Sequence, residues 1–302
     1  MNKSFQGAWP ALITPANADG TANLTALREL IDYMLAKKVD GLYLLGSTGE
    51  GLLVSAADRR SVVETAIDQV RGRIPLIVHV GSISTTEAAA LACHSQEQGA
   101  DGVSSVLPVY LGGLEATYRH YGAIASAASG LPFFPYLFGG HIDATSLMKE
   151  LLCRIPNIGG AKYTGPNMYE IAQIIDLGGD LPSDRGWTIF SGMDEQCLFA
   201  AMMNAPGNIG STLNVMPGPY SKMRACLQSG DFAQALALQK QANRLTAAMI
   251  DHGVGAAMRV AMKDFGIDCG PLRLPQETIS PEQEERILAD LKEAGLAALA
   301  AM

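Results

Sequence analysis

No two cysteines of this chain stand at a metal-binding or redox spacing. Cys93, Cys153, Cys197, Cys226 and Cys269 lie far apart, most of them in helical patterns. They read as small apolar core residues of a reducing compartment, not as a disulfide frame. The five histidines (His79, His94, His120, His141, His252) form no HExxH or related ligand pattern, so no metal centre is expected. There is no GxSxG nucleophile elbow, no Gly-Lys-Ser/Thr phosphate loop and no GxGxxG dinucleotide turn. Charged residues make up only 17%, the formal net charge is −8, and no basic run occurs, which argues against a nucleic-acid partner. Residues Met1 to Pro10 lack the apolar region of a signal peptide. The apolar tail Gly295 to Met302 is too short to span a bilayer. A soluble, cytoplasmic protein without a membrane partner is expected.

What the chain does have is apolar substance: 302 residues, 48% of them hydrophobic, long for one domain unless that domain is a barrel. Short apolar runs alternate with segments of helical period. The first pair is Trp9–Thr14 and Asn23–Val39, where Leu24, Leu27, Leu30, Ile31 and Met34 share a face and Asn23 is the N-cap. The second is Gly41–Gly46 and Ser55–Arg71, which starts in a box-like Ser55/Asp58 pair. Six further pairs follow, ending with Asn208–Thr212 and Pro217–Gln228. Eight such units predict a (β/α)8 TIM barrel, a fold that typically needs about 250 residues. An open doubly wound sheet would predict fewer strands and a nucleotide fingerprint. The barrel is assigned to residues 1–229 and a C-terminal helical appendage to 230–302, with helical stretches at 231–252, 253–265 and 281–302.

Active sites of such barrels lie at the C-terminal ends of the strands. The sixth candidate strand, Ile158 to Thr164, carries Lys162. Lysine is almost never fully buried unless paired, and desolvation disfavours its ammonium form, producing a nucleophilic amine. The plain alternative is a lysine at the strand end whose head reaches water. After strand two comes Gly46-Ser47-Thr48-Gly49-Glu50-Gly51, whose free amides and two hydroxyls suit a carboxylate or phosphate, unless it is a simple glycine-rich turn. Tyr110 and Tyr136 end strands four and five. Each is either half-buried core or a phenol that passes protons. Gly192-Met193-Asp194-Glu195 follows strand seven; its acids either cap the next helix or accept bonds from a polyhydroxylated ligand. The hydroxyl-rich loop 209–214 follows strand eight, and His79 reads as a satisfied core residue inside strand three.

Taken together, GLYLLGSTGEG (41–51), VHVGSISTTEA (78–88), Pro-x-Tyr (108–110), Tyr136, GGAKYT (159–164), SGMDE (191–195) and IGSTLN (209–214) resemble the N-acetylneuraminate lyase/dihydrodipicolinate synthase family of pyruvate-dependent class I aldolases. The motifs span nearly the whole barrel in family order. The resemblance implies a Schiff-base lysine at Lys162 and a proton-shuttling phenol at Tyr136. It also implies a pyruvate carboxylate held by Ser47 and Thr48. Tyr110 would reach across a subunit interface, implying a dimer or tetramer, with a homotetramer favoured. No metal or organic cofactor is implied. Thr164, Gly192, Asp194, Glu195 and Ser211 resemble the sugar-chain contacts of the lyase branch. The synthase branch carries an arginine soon after the tyrosine; residues 137–145 (LFGGHIDAT) have none. They also lack the Tyr-Asn-Ile/Val-Pro of the lyase pattern, so Phe138, the two glycines and His141 would shape the acceptor pocket. The expected activity is cleavage of a 2-keto-3-deoxy sugar acid, N-acetylneuraminate first, to pyruvate and N-acetylmannosamine. The alternative is a dihydrodipicolinate synthase-like or other aldolase or dehydratase of the family. A non-catalytic keto-acid sensor is disfavoured by the complete set of Lys162, Tyr136, Ser47 and Tyr110.

Overall fold

The computed structural model describes residues 5–110, 112–138, 143–179, 181–182 and 186–302. Eight short strands carry the buried apolar runs: β1 (Gly7–Pro10), β2 (Leu42–Leu44), β3 (Leu76–His79), β4 (Gly102–Val106), β5 (Phe133–Phe138), β6 (Gly160–Thr164), β7 (Thr188–Ser191) and β8 (Gly207–Gly210). They pair in parallel in chain order from β2 round to β8, and β8 pairs with β1. A single parallel bridge, Ala11 to Tyr43, closes the seam between β1 and β2. The predicted (β/α)8 barrel is the observed fold.

Among the described residues eight α-helices alternate with the strands: α1 (Leu24–Ala36), α2 (Ala56–Val70), α3 (Thr85–Gln98), α4 (Leu114–Ala127), α5 (Ala144–Arg154), α6 (Met168–Asp176), α7 (Cys197–Met202) and α8 (Pro217–Ser229). Their starts follow the predicted caps. The Asn23 side chain accepts from the Ala26 amide, and Ser55 accepts from the amide of Asp58 while donating to its carboxylate. Four more helices follow, α9 (Phe232–Asp251), α10 (Val254–Asp264), α11 (Pro281–Glu293) and α12 (Leu296–Ala300). The last expected stretch is thus two helices, broken at Gly295, whose φ of 100° ends α11. β1 also stops sooner than the apolar run suggests. Beyond Pro10, Asn214 captures the chain, accepting from the Ile13 amide and donating to the Ala11 carbonyl.

The inner face of the barrel is packed with Trp9, Tyr43, Ile77, Phe134, Phe190 and Ile209, all at most 1% exposed. Trp9 and Phe134 both meet the Phe190 ring edge-on, at centroid distances of 5.3 and 5.8 Å. Each such residue stabilises by roughly 1.5–3 kcal/mol through burial. This aromatic plug is the floor on which the site stands.

Candidate active site

Strand alternation sends Lys162 and Thr164 to the inner face of β6. Lys162 is 5% exposed. It lies in register with Tyr136 on β5 and with Phe190 on β7. Its Nζ stands 4.2 Å from the centroid of the Tyr136 ring and 4.9 Å from that of Tyr43. Two aromatic faces therefore flank the amine, an arrangement that accommodates a cation without a carboxylate partner. Tyr136 is 3% exposed, so the phenol sits inside the barrel mouth and not on its rim.

Beneath them Tyr43 shares a 2.9 Å hydrogen bond with Ser104, and burial pushes its phenol well above the usual tyrosine range. His79 completes this wall. Its Nε2 accepts from the Val106 amide at 3.0 Å. Burial, helped by the positive charges of Arg59 and Lys162, pushes its pKa down to about 3. The imidazole is neutral, with Nε2 bonded to the Val106 amide and the Leu45 backbone on its other side.

At the end of β2, Ser47 is exposed and lines a cavity of about 260 Å³ together with His79, Val106 and Gln276. Thr48 bonds Ser211 at 2.7 Å, tying the β2 loop to the β8 loop. On the opposite side the Thr164 hydroxyl is buried without a partner among the described residues. It lies against Gly192, where a Cβ would fall 1.8 Å from that oxygen and 3.1 Å from Lys162 Cε. Only glycine fits this corner.

The two acids separate. Asp194 is 6% exposed. Its Oδ2 accepts from the amide and hydroxyl of Thr212 at 2.9 and 2.8 Å. Oδ1 has no partner among the described residues and faces Gly210, where a Cβ would stand 1.5 Å away. Burial pushes Asp194 up to about 6 against the opposing pull of the Thr212 bonds. Neither acid caps α7 through its side chain. Asp194 instead laces the β7 loop to the β8 loop, while Glu195 is half-buried and its carbonyl accepts from Asn243. Tyr110 stands apart at 80% exposure. Phe138 ends β5 half in solvent, and His141, which sequence reasoning placed in the acceptor pocket, lies outside the described residues.

Three contributors carry no role in the sequence reading. Tyr43 is hidden inside an apolar strand, and only the period-2 alternation of β2 puts it on the same inner face as Lys162. Glu50 was visible as a lone charge in a glycine-rich loop. Gln239, on α9, accepts from the Leu198 amide and donates to the Asp194 carbonyl, holding the β7 loop from behind. Nothing local to Gln239 signals that. Among the described residues no cluster of His, Cys, Asp or Glu could hold a metal, and no helix is long and apolar enough to cross a membrane.

Fold and site together define a (β/α)8-barrel protein with a buried lysine set between two tyrosine rings on the inner face of its strands. The chain belongs to the dihydrodipicolinate synthetase family, whose sequence profile matches residues 4–294. It is 33% identical to the N-acetylneuraminate lyase of Citrobacter koseri over 299 residues, 97% of this chain and 96% of that one. It is 32% identical to the N-acetylneuraminate lyase of an Enterobacter species over 279 residues, 90% and 91% of the two chains. Among solved structures, Proteus mirabilis N-acetylneuraminate lyase superposes with a TM-score of 0.90 at 26% identity, covering 97% of this chain and 99% of the other. CdNal of Clostridium difficile, solved with mannosamine, gives 0.88 at 26% identity, with 96% and 99% covered. The family and the lyase branch drawn from the motifs are borne out.

Proposed function

We propose that the protein is a Schiff-base aldolase that cleaves N-acetylneuraminate, or a close 2-keto-3-deoxy sugar acid, to pyruvate and N-acetylmannosamine. The observation that carries this reading is the buried Lys162 amine set between the rings of Tyr136 and Tyr43 at the strand ends. The names of the relatives point the same way.

Lys162, once it has given up its proton, attacks C2 of the keto acid as the free amine, and loss of water leaves a protonated imine. Ser47 and Thr48 hold the carboxylate. Tyr136 takes the proton of the C4 hydroxyl as the C3–C4 bond breaks, passing its own phenolic proton into the relay through Ser47, from which it returns to C3. The bonding pair moves into the imine and leaves an enamine, while C4 departs as the aldehyde. A proton returned to C3 and hydrolysis of the imine release pyruvate and the free lysine. Thr164, Asp194, Glu195 and Ser211 would hold the hydroxylated tail, with Gly192 leaving room for it.

The protein would act in the cytoplasm, in keeping with five free cysteines, as a homotetramer. Ile83, Val109 and Tyr110 are exposed in the loops after β3 and β4, apolar surface that a partner subunit could cover. Tyr169, Phe199, Met202 and Phe232 are exposed on α6, α7 and α9, and more than one such apolar surface suits a tetramer. In this scheme the barrel ends at 229 and an appendage begins at 230, where Gly230 (φ 81°) closes α8.

Borohydride added with pyruvate should fix the mass of a reduced pyruvate adduct on Lys162, and a peptide map without that adduct would end the mechanism. Steady-state assays then rank the substrates. Turnover of aspartate semialdehyde in preference to sialic acid would replace the lyase assignment with the synthase one.

A further inference from the structure

Glu50 closes the loop that carries Ser47 and Thr48, yet its side chain is 4% exposed. Its Oε2 accepts from Arg259 Nη2 at 3.0 Å and Arg273 Nη1 at 2.8 Å. Its Oε1 accepts from the Arg273 amide at 3.3 Å and from the Gln276 side chain. Arg273 also donates to the carbonyls of Thr14, Pro15 and Gly20. One carboxylate thus gathers the loop after β1, the loop after β2 and the segment following α10.

The loop so gathered is strained. Leu45 and Glu50 both adopt left-handed backbone conformations, with φ of 60° and 54°. At Gly51 a Cβ would meet the Leu45 carbonyl oxygen at 1.8 Å, so the two turns press backbone on backbone. Such geometry persists only where the surroundings over-determine it. A buried ion pair is by itself weak evidence for stability, because apolar side chains of equal volume often do as well. What apolar side chains cannot do is fix the orientation of a loop through directed bonds.

We propose that Glu50 is a positioning residue: the Arg259–Glu50–Arg273 triad, reaching in from α10 and the segment after it, sets Ser47 and Thr48 to receive the keto-acid carboxylate. This rests on the proposed reaction only in giving that loop a keto acid to hold.

The test measures the pyruvate concentration that half-saturates borohydride trapping on Lys162, alongside the melting temperature. E50Q removes a negative charge, which by Coulomb's law alone would tighten binding of an anion. Positioning predicts the opposite, a half-saturation raised about tenfold. Gln276→Ala, which deletes one donor from a half-buried site, should raise it about twofold to threefold. Leu291→Ala, at a fully buried position of α11, should lower the melting temperature and leave half-saturation unchanged. If E50Q does not fold, Gln276→Ala decides. Wild-type half-saturation in E50Q, or in Gln276→Ala where E50Q does not fold, overturns the proposal. No trapping on the wild-type protein overturns the aldolase reading instead.

Discussion

Gly192→Ala probes the tightest corner of the site. The added methyl would lie 1.8 Å from Thr164 Oγ1, about 1.6 Å short of ordinary contact, and 3.1 Å from Lys162 Cε, a few tenths short. Thr164 is β-branched, so turning its hydroxyl away brings another substituent toward the same space. Overpacking of this kind costs about 1–3 kcal/mol, a fall of a few degrees in melting temperature for a chain this size. The hydroxyl has no protein partner among the described residues to hold it, so it moves first and the lysine follows only slightly. A positioning group displaced by more than 1 Å lowers the rate by about 10²-fold, or about 2.7 kcal/mol in the barrier. The expected result is therefore split. Cleavage of the sugar acid, followed as kcat/KM, falls by about 10²-fold, while pyruvate trapping on Lys162 falls by no more than about threefold. Adding Thr164→Ala should recover melting temperature without recovering cleavage. If Gly192→Ala keeps both its melting temperature and its kcat/KM within twofold of wild type, the corner is not packed as described.

Two expectations concern pH. Asp194 is held up at about 6, above its ordinary value, so between roughly pH 4 and 6 the folded chain binds more protons than the unfolded one and stability falls as pH rises. Asp194→Asn should remove this slope and gain up to about 2–3 kcal/mol at pH 7, read as the difference between variant and wild-type melting curves; parallel curves across that range would show that the carboxylate is not desolvated. His79 runs the other way. Its folded value of about 3 lies below the unfolded one, so its contribution is complete above pH 6.5 and is lost as pH falls toward 3. His79→Ala also orphans the Val106 amide and should cost about 1–3 kcal/mol in urea unfolding while flattening the acid limb; an unchanged limb would refute the assignment.

The fold was legible because periodicity is local. Alternating apolar runs and helical stretches, each with its own cap, named the eight units before any contact was known, and Asn23 and Ser55 cap as their positions predicted. The placement of Lys162, Tyr136 and the hydroxyls of 47, 48, 164 and 211 near the strand ends was legible for a related reason, since strand order fixes which loops share the barrel mouth; their proposed roles came from the family resemblance. Asp194 was legible only as an acid. Sequence left it a cap or a ligand contact, whereas the structure turns it into a lace between two loops with one oxygen left over.

By itself, the sequence determined the barrel and the strand that carries Lys162, through its periodicity, and the family, through the motifs it shares with that family. Only the tertiary structure decided what flanks and braces that lysine. Tyr43 comes under the amine from a strand more than a hundred residues upstream, and Glu50 meets Arg259 and Arg273 across more than two hundred. Such pairings have no sequence period. They exist because closing the barrel brings distant segments together where a buried charge or hydroxyl must find a partner or leave one unmet.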